Sequence, residues 1–182
     1  MPKSSPIPCT KEEIDKIIDV AMDDDFFYML FNVARKTGRR LGEYYDVKVK
    51  DVDFDRGVIM TKVLKKRKKV EKEAILTDEL IYLIKTYIRK NSLKLEDYLF
   101  RKVSYRQIQN RIQQYAKKAG VPHNVSFHNF RHYFVTELFK KGWSYDKIAK
   151  LTGHTSIGTL ASYDHTVASD IAKDAREDIR DL

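Results

Sequence analysis

A single stretch with β-strand periodicity, residues 51–76, interrupts a chain that is otherwise patterned as helices. Its branched and aromatic residues are divided by two turn signals, an Asp-Arg-Gly tripeptide and a strongly basic cluster. This pattern predicts three antiparallel strands, at residues 51–55, 58–65 and 70–76. We therefore expect an α+β fold that is mostly α-helical, with one small three-stranded antiparallel sheet.

Helix signals flank the predicted sheet on both sides. Thr10, followed by Lys-Glu-Glu, begins a first helix, and a second helix, rich in phenylalanine, ends at Gly38. Three later stretches have the same apolar spacing: residues 77–89, 104–120 and 168–182. Because 182 residues suit one packed domain, we expect a linker or flexible N-terminus at residues 1–9, the domain at 10–166 and a tail helix at 167–182.

Composition limits the partners and the compartment. A formal net charge of +9 and a pI near 9.4 predict attraction to a polyanion, which is usually nucleic acid. The single cysteine, Cys9, excludes an internal disulfide. No apolar run approaches the roughly 20 residues that span a bilayer. We therefore expect a cytoplasmic protein that has no membrane partner.

Residues 126–166 contain side chains that are suited to act on a phosphate. His128 and Arg131 share one helical face because they are three positions apart. The planar donor fork of a guanidinium beside an imidazole can clamp a phosphate; alternatively, the pair is a structural histidine and a surface arginine. His132 adds a His-x-x-x-His spacing, but the Glu of the zinc-protease helix and a third ligand are missing, so we expect no metal.

Two more candidates follow in the same stretch. A Leu-Thr-Gly-His sequence predicts a helix end at glycine that leaves His154 on an exposed turn, and Tyr163 comes nine residues later. The alternatives are a solvated histidine and a core tyrosine. A phenol has a pKa of about 10, so it attacks a phosphate poorly unless a neighbour takes its proton and positive groups stabilise the developing charge.

These residues complete an ordered set that begins upstream. Thr-Gly-x-Arg-x-x-Glu at residues 37–43 is followed by a lysine-bearing β-hairpin, His-x-x-Arg, Gly-His and then a tyrosine nine residues on. This set resembles the tyrosine recombinase/integrase family over residues 10–166. Each motif is weak by itself, but five in this order are highly specific. The resemblance implies a DNA strand-cutting catalytic domain that uses no cofactor.

The resemblance also implies a role for each matching residue. Tyr163 would be the nucleophile that forms a 3′-phosphotyrosyl link and releases a 5′-hydroxyl. Arg40 and Arg131 would hold the non-bridging phosphate oxygens. His128 would serve as a base or hydrogen-bond partner, and His154 would help to hold the phosphate.

Two departures from the family pattern affect the assignment. Arg39 stands where an apolar residue is usual, and counting from the preceding glycine gives the catalytic role to Arg40. Glu43 matches an acidic residue of the family that supports the residues of the site without being one of those that act on the phosphate. The hairpin lacks the usual Gly-Lys-Gly, so several lysines compete to be the general acid that protonates the leaving oxygen. The end of the second strand favours Lys65, with Lys66 as the alternative.

The expected partner is double-stranded DNA, together with other copies of the chain in a synaptic tetramer, although an isolated catalytic domain can be a monomer in solution. The basic residues expected to contact DNA are Arg39, Lys66, Arg67, Lys68, Lys69, Arg106 and Arg111. The N-terminal core-binding domain of full family members is expected to be absent, and the protein to be associated with the nucleoid of a host cell. The resemblance thus predicts a site-specific recombinase; alternatives are a type IB topoisomerase-like nicking and closing enzyme and a non-catalytic DNA-binding relative.

Overall fold

The computed structural model describes residues 7–65 and 68–153, and describes the backbone alone at residues 63–65 and 68–70. Within these residues, α-helices accompany one three-stranded antiparallel sheet, which confirms the predicted α+β class. The tail helix predicted at residues 167–182 lies outside the described residues, as do His154 and Tyr163. The elements in chain order are α1 (Lys11–Val20), α2 (Asp25–Thr37), α3 (Leu41–Tyr44), β1 (Val52–Asp53), β2 (Val58–Lys65), β3 (Lys68–Ile75), α4 (Asp78–Lys90), α5 (Tyr105–Lys118), α6 (Phe127–Lys140) and α7 (Tyr145–Thr152).

Local sequence signals set several helix ends where they were predicted. The Thr10 hydroxyl accepts a hydrogen bond from the Glu13 N–H at 3.2 Å, and the Glu13 carboxylate accepts one from the Thr10 N–H at 2.9 Å. Ser104 and Gln107 form the same reciprocal capping box at the start of α5. Gly38 ends α2 in the left-handed conformation.

The sheet follows the predicted order, but two of its three strands differ in extent from the prediction. β2 pairs with β3 from Val58 opposite Ile75 to Lys65 opposite Lys68, so β3 begins two residues earlier than predicted. β1 contains only two residues instead of five. It is short because the Asp53 carboxylate accepts the N–H groups of the two turn residues 55 and 56, which ends the strand.

Aromatic packing around α2 brings the later site residues together. Phe31 of α2 stacks on Phe130 of α6 at a centroid distance of 5.3 Å and meets Tyr115 of α5 at 5.6 Å. α2 also packs against α1 and α4, and most of its side chains are buried. The chain that leaves α2 is therefore placed beside the first turns of α6.

The residues that precede α1 lie against α6. The Asn129 side-chain amide donates to the Ile7 carbonyl oxygen at 2.7 Å, and Cys9 is buried. Burial raises the pKa of the Cys9 thiol to about 12. None of the described helices is long and apolar enough to cross a membrane.

Gly38→Ala is expected to lower the free energy of unfolding by about 2–4 kcal/mol, because a β-carbon there combines a left-handed backbone with overlap on the Phe134 ring. Chemical denaturation measures the loss. Gly42→Ala is the matched control: its β-carbon meets nothing within 4 Å, and alanine favours the helix, so stability should be unchanged or slightly higher. Equal effects of the two changes would contradict this account.

Candidate active site

Three of the predicted site residues line one cleft of about 480 Å³: Arg40, His128 and Arg131. Arg40 comes from the junction between α2 and α3, and the other two come from the first turns of α6. The packing of α2 on α6 brings together residues that are about 90 positions apart in the chain. The cleft therefore holds two guanidiniums and one imidazole.

Arg131 ties together the backbone around the cleft. Its side chain is 1% exposed, and Nη1 donates to the Gly38 carbonyl oxygen at 2.8 Å and to the Thr152 carbonyl oxygen at 2.9 Å. Arg40 lies two residues after Gly38, and His154 lies two residues after Thr152. A single side chain thus fixes the backbone next to both of those predicted site residues.

Arg40 is the accessible arginine of the cleft. Its side chain is 48% exposed, and Nη1 lies 3.2 Å from Oε1 of the buried Glu43 carboxylate. This ion pair leaves part of the guanidinium open toward the cleft. The buried Glu43 carboxylate therefore pairs with the accessible arginine of the cleft.

The surroundings of His128 favour its neutral form. Partial desolvation of the imidazole is the main cause that lowers its pKa below the ordinary value of 6.5, and the positive charges of Arg131 and Arg40 lower it further. At neutral pH the imidazole can therefore accept a proton from a reacting group.

In the free protein, His128 is expected to titrate below pH 6.5, as followed by NMR of its imidazole nitrogens and assigned with His128→Gln. Arg40→Gln removes one neighbouring positive charge, so the midpoint should move upward. A midpoint at or above 6.5 in the unmodified protein would show that burial and the two guanidiniums do not control this histidine.

Arg39 was expected to contact DNA, but the structure buries its side chain, which is 1% exposed. Its Nη2 donates to the Glu73 carbonyl oxygen on β3, and its Nη1 lies 3.9 Å from Oε2 of Glu43. Burial lowers the pKa of its guanidinium. The backbone at Arg40 is extended, with φ −75° and ψ 148°, and consecutive side chains of an extended backbone point to opposite sides. Arg39 therefore points into the domain, and Arg40 points into the cleft.

The other predicted site residues are only partly described. Lys65 is the last residue of β2, while its side chain lies outside the described part of the structure, as do Lys66, Arg67 and the side chains of Lys68 and Lys69. Gly153 ends α7 in the left-handed conformation, which confirms the helix end predicted just before His154. Arg106 and Arg111 are exposed on α5, and neither lines the cleft.

Sequence reasoning missed a polar wall of the cleft on α5. Gln109, Asn110 and Gln113 line it, and Tyr105 lies at its end. Amide side chains can bond phosphates or base edges. The sequence contained a signal for this wall, because these amides flank the buried Ile108 and Ile112 at helical spacing. The prediction considered only the basic side chains of α5, Arg106 and Arg111, as DNA contacts.

Potential metal ligands also meet at the start of the described chain, where ligand atoms of Cys9, Glu13 and His123 lie within 4.8 Å of one another. His123 Nε2 lies 3.3 Å from the Glu13 carboxylate, which already accepts the Thr10 N–H. Hydrogen bonding to the Glu13 carboxylate accounts for the approach of His123 to the start of α1.

The predicted His-x-x-x-His pair is divided between two cavities. His128 lines the cleft with Arg40, whereas His132 lines a separate cavity beside Cys9, with Nδ1 at 3.4 Å from the Thr136 hydroxyl. The two imidazoles therefore line different cavities and do not form one site.

Comparison with known proteins identifies the family. The model of the phage integrase family matches residues 9–169. Tyrosine recombinase XerA of Thermococcus kodakarensis is 31% identical over 95% of this chain and 63% of its own length, and XerA of Pyrococcus furiosus is 28% identical over 92% and 60%. This chain thus spans about three fifths of the length of these relatives.

Solved structures have the same fold. A crystal structure of XerA recombinase superposes with a TM-score of 0.79 at 27% identity, covering 97% of this chain and 66% of that one. XerH site-specific recombinase, bound to a palindromic difH substrate, gives a TM-score of 0.77 at 20% identity, covering 93% of this chain and 52% of that one. The family match, these relatives and the shared fold agree: the chain belongs to the phage integrase family.

Proposed function

We propose that this chain is the catalytic domain of a site-specific recombinase, which cuts and rejoins double-stranded DNA through a 3′-phosphotyrosine at Tyr163, without a metal or ATP. The observation that carries the proposal is the pair of hydrogen bonds from Arg131 to the Gly38 and Thr152 carbonyl oxygens. Through these bonds, a side chain that lines the cleft with Arg40 and His128 joins the backbone before Arg40 to the backbone before His154.

The proposed reaction needs only side chains of the protein. The Tyr163 oxygen attacks the phosphorus and gives its proton to the neutral His128, while Arg40 and Arg131 stabilise the charge on the non-bridging oxygens. The bond to the 5′ oxygen breaks, and that oxygen takes a proton from Lys65, or from Lys66 if the acid lies one residue later. The phosphotyrosyl link keeps the energy of the broken phosphodiester, so reversal rejoins a strand without ATP.

Double-stranded DNA and other copies of the chain are the proposed partners. The net charge of +9 favours a polyanion, and the related XerH recombinase was crystallised on its DNA substrate. Lambda integrase was crystallised as a dimer on a core site. We extend these cases to a synaptic tetramer on DNA, acting on the nucleoid in the cytoplasm of a host cell.

A suicide substrate tests the proposal. A pool of duplexes with randomised arms, each carrying a nick near the cleavage point, loses the short strand after attack and traps the covalent complex, which survives on a denaturing gel. The full-length protein is expected to form this complex and to select a shared sequence. If no pool member is trapped, the enzyme assignment fails; if trapping and plasmid relaxation show no sequence preference, the activity is that of a nicking and closing enzyme.

A further inference from the structure

We infer that Arg39 is a positioning residue, whose buried guanidinium sets the angle of the β2–β3 hairpin and so the position of the backbone that carries the proposed general-acid lysine. This inference rests on the proposed function. It replaces the DNA contact that was expected from the basic character of Arg39.

The contacts of Arg39 connect the hairpin to the active site. Nη2 donates to the carbonyl oxygen of Glu73 in β3, Nη1 lies 3.9 Å from Glu43, and the backbone N–H donates to the Tyr44 hydroxyl at 3.1 Å. Glu43 in turn holds Arg40. One buried side chain therefore links the strand β3 to the carboxylate that orients the accessible arginine.

The bond to Glu73 lies where it controls the hairpin tip. Glu73 pairs with Met60 of β2, and Lys65 is five residues farther along that strand. At about 3.4 Å per residue, Lys65 lies roughly 17 Å beyond the anchor. A rotation of about 10° at the anchor would move it by roughly 3 Å, and a misplacement of about 1 Å can cost ~10²-fold in rate.

Arg39 also packs against the turn that precedes His154. A β-carbon built on Gly153 would lie 2.9 Å from Arg39 Nη1 and 2.6 Å from Lys72 Nζ, so this turn approaches β3 closely. Two routes from Arg39 to the chemistry are therefore present, one through the hairpin and one through the turn. Arg39 is hydrogen-bonded to the hairpin, at the Glu73 carbonyl oxygen, so we infer that its effect passes through the hairpin. The experiment below distinguishes an effect on the hairpin from an effect on the Gly153 turn.

The guanidinium is incompletely paired. Among the described residues, Nε and Nη1 of Arg39 have no hydrogen-bond acceptor, and Oε2 of Glu43 has no donor. Arg39→Leu leaves the Glu73 carbonyl oxygen without this donor and the buried Glu43 carboxylate with one positive neighbour fewer, so we expect a lower melting temperature. A loss of stability affects every substrate equally, so a rate loss confined to one leaving group would indicate positioning.

The test compares Arg39→Leu with the wild-type protein on two suicide substrates, one with an ordinary 5′ oxygen and one with a 5′-bridging sulfur at the cleavage point. A thiol has a far lower pKa than an alcohol, so the 5′ sulfur leaves as a thiolate and needs no proton from a general acid. We expect Arg39→Leu to cut the ordinary substrate about 10²-fold more slowly and the sulfur substrate at close to the wild-type rate. Lys65→Ala is the positive control for this rescue, and all rates are measured at a temperature at which each variant is folded.

Arg56→Leu is the matched control, because Arg56 also contacts Glu73 but pairs with its side chain at the surface, at 2.6 Å. It should cleave both substrates at the wild-type rate. No loss in Arg39→Leu, or an equal loss on both substrates, would overturn the hairpin role; an equal loss would point to the Gly153 turn. If the wild-type protein cleaves neither substrate, the proposed function itself fails, and this inference fails with it.

Discussion

Tyr163→Phe is expected to abolish the covalent complex on suicide substrates, lowering its yield by at least about 10³-fold. Phenylalanine keeps the ring but removes the only atom that can bond to phosphorus in the proposed reaction. DNA affinity should change by less than about threefold, because lysine and arginine contacts to phosphates dominate it. Denaturing gels measure the adduct, and a fluorescence binding assay at fixed salt measures the affinity.

Two other tyrosines make this prediction sharper. Tyr82 is 72% exposed on α4, so Tyr82→Phe should leave the adduct unchanged. Tyr105 lies in the cleft with Arg40 and His128 and is the alternative nucleophile among the described residues. An adduct that survives Tyr163→Phe and disappears in Tyr105→Phe would reassign the nucleophile. Intact DNA binding with no adduct in the unmodified full-length protein would favour the non-catalytic relative.

The fold was predictable where the determining signals are local. Thr10 and Ser104 begin helices through capping boxes within four residues, and Gly38 and Gly153 end helices through their left-handed backbone. The hairpin was predicted because strand periodicity and turn residues are also local. The short β1 was not predicted, since its end depends on how the Asp53 side chain bonds the following turn.

The roles of the two consecutive arginines could not be predicted from their own sequence. Arg39 and Arg40 differ in exposure because one reaches the backbone of β3, 34 positions away, and the other faces α6. A carbonyl acceptor such as that of Glu73 has no sequence signature, since every residue carries one. The Gly38 and Thr152 carbonyl oxygens that Arg131 binds likewise have no sequence signature. The three motif residues that line the cleft, Arg40, His128 and Arg131, were therefore readable from the sequence, whereas the hydrogen bonds around them required the structure.

Arg131→Lys is expected to reduce both the cleavage rate and the stability of the fold, because Arg131 binds two buried backbone carbonyl oxygens. Arg131→Lys keeps the charge but loses the planar fork that reaches both carbonyl oxygens. We expect cleavage of suicide substrates to fall by about 10²–10³-fold, as for the loss of one transition-state donor. The free energy of unfolding should fall by about 1–3 kcal/mol, because a buried carbonyl of Gly38 or Thr152 then lacks its donor.

Arg40→Lys separates the catalytic role from the structural one. It should slow cleavage to a similar extent, because the same fork is lost at the phosphate. Its stability should change by less than about 1 kcal/mol, because the side chain is 48% exposed and a lysine can still pair with Glu43. Trapping kinetics and chemical denaturation of both variants provide the comparison. Equal stability losses would mean that Arg131 does not hold the ends of α2 and α7, and normal cleavage by Arg40→Lys would remove Arg40 from the proposed phosphate site.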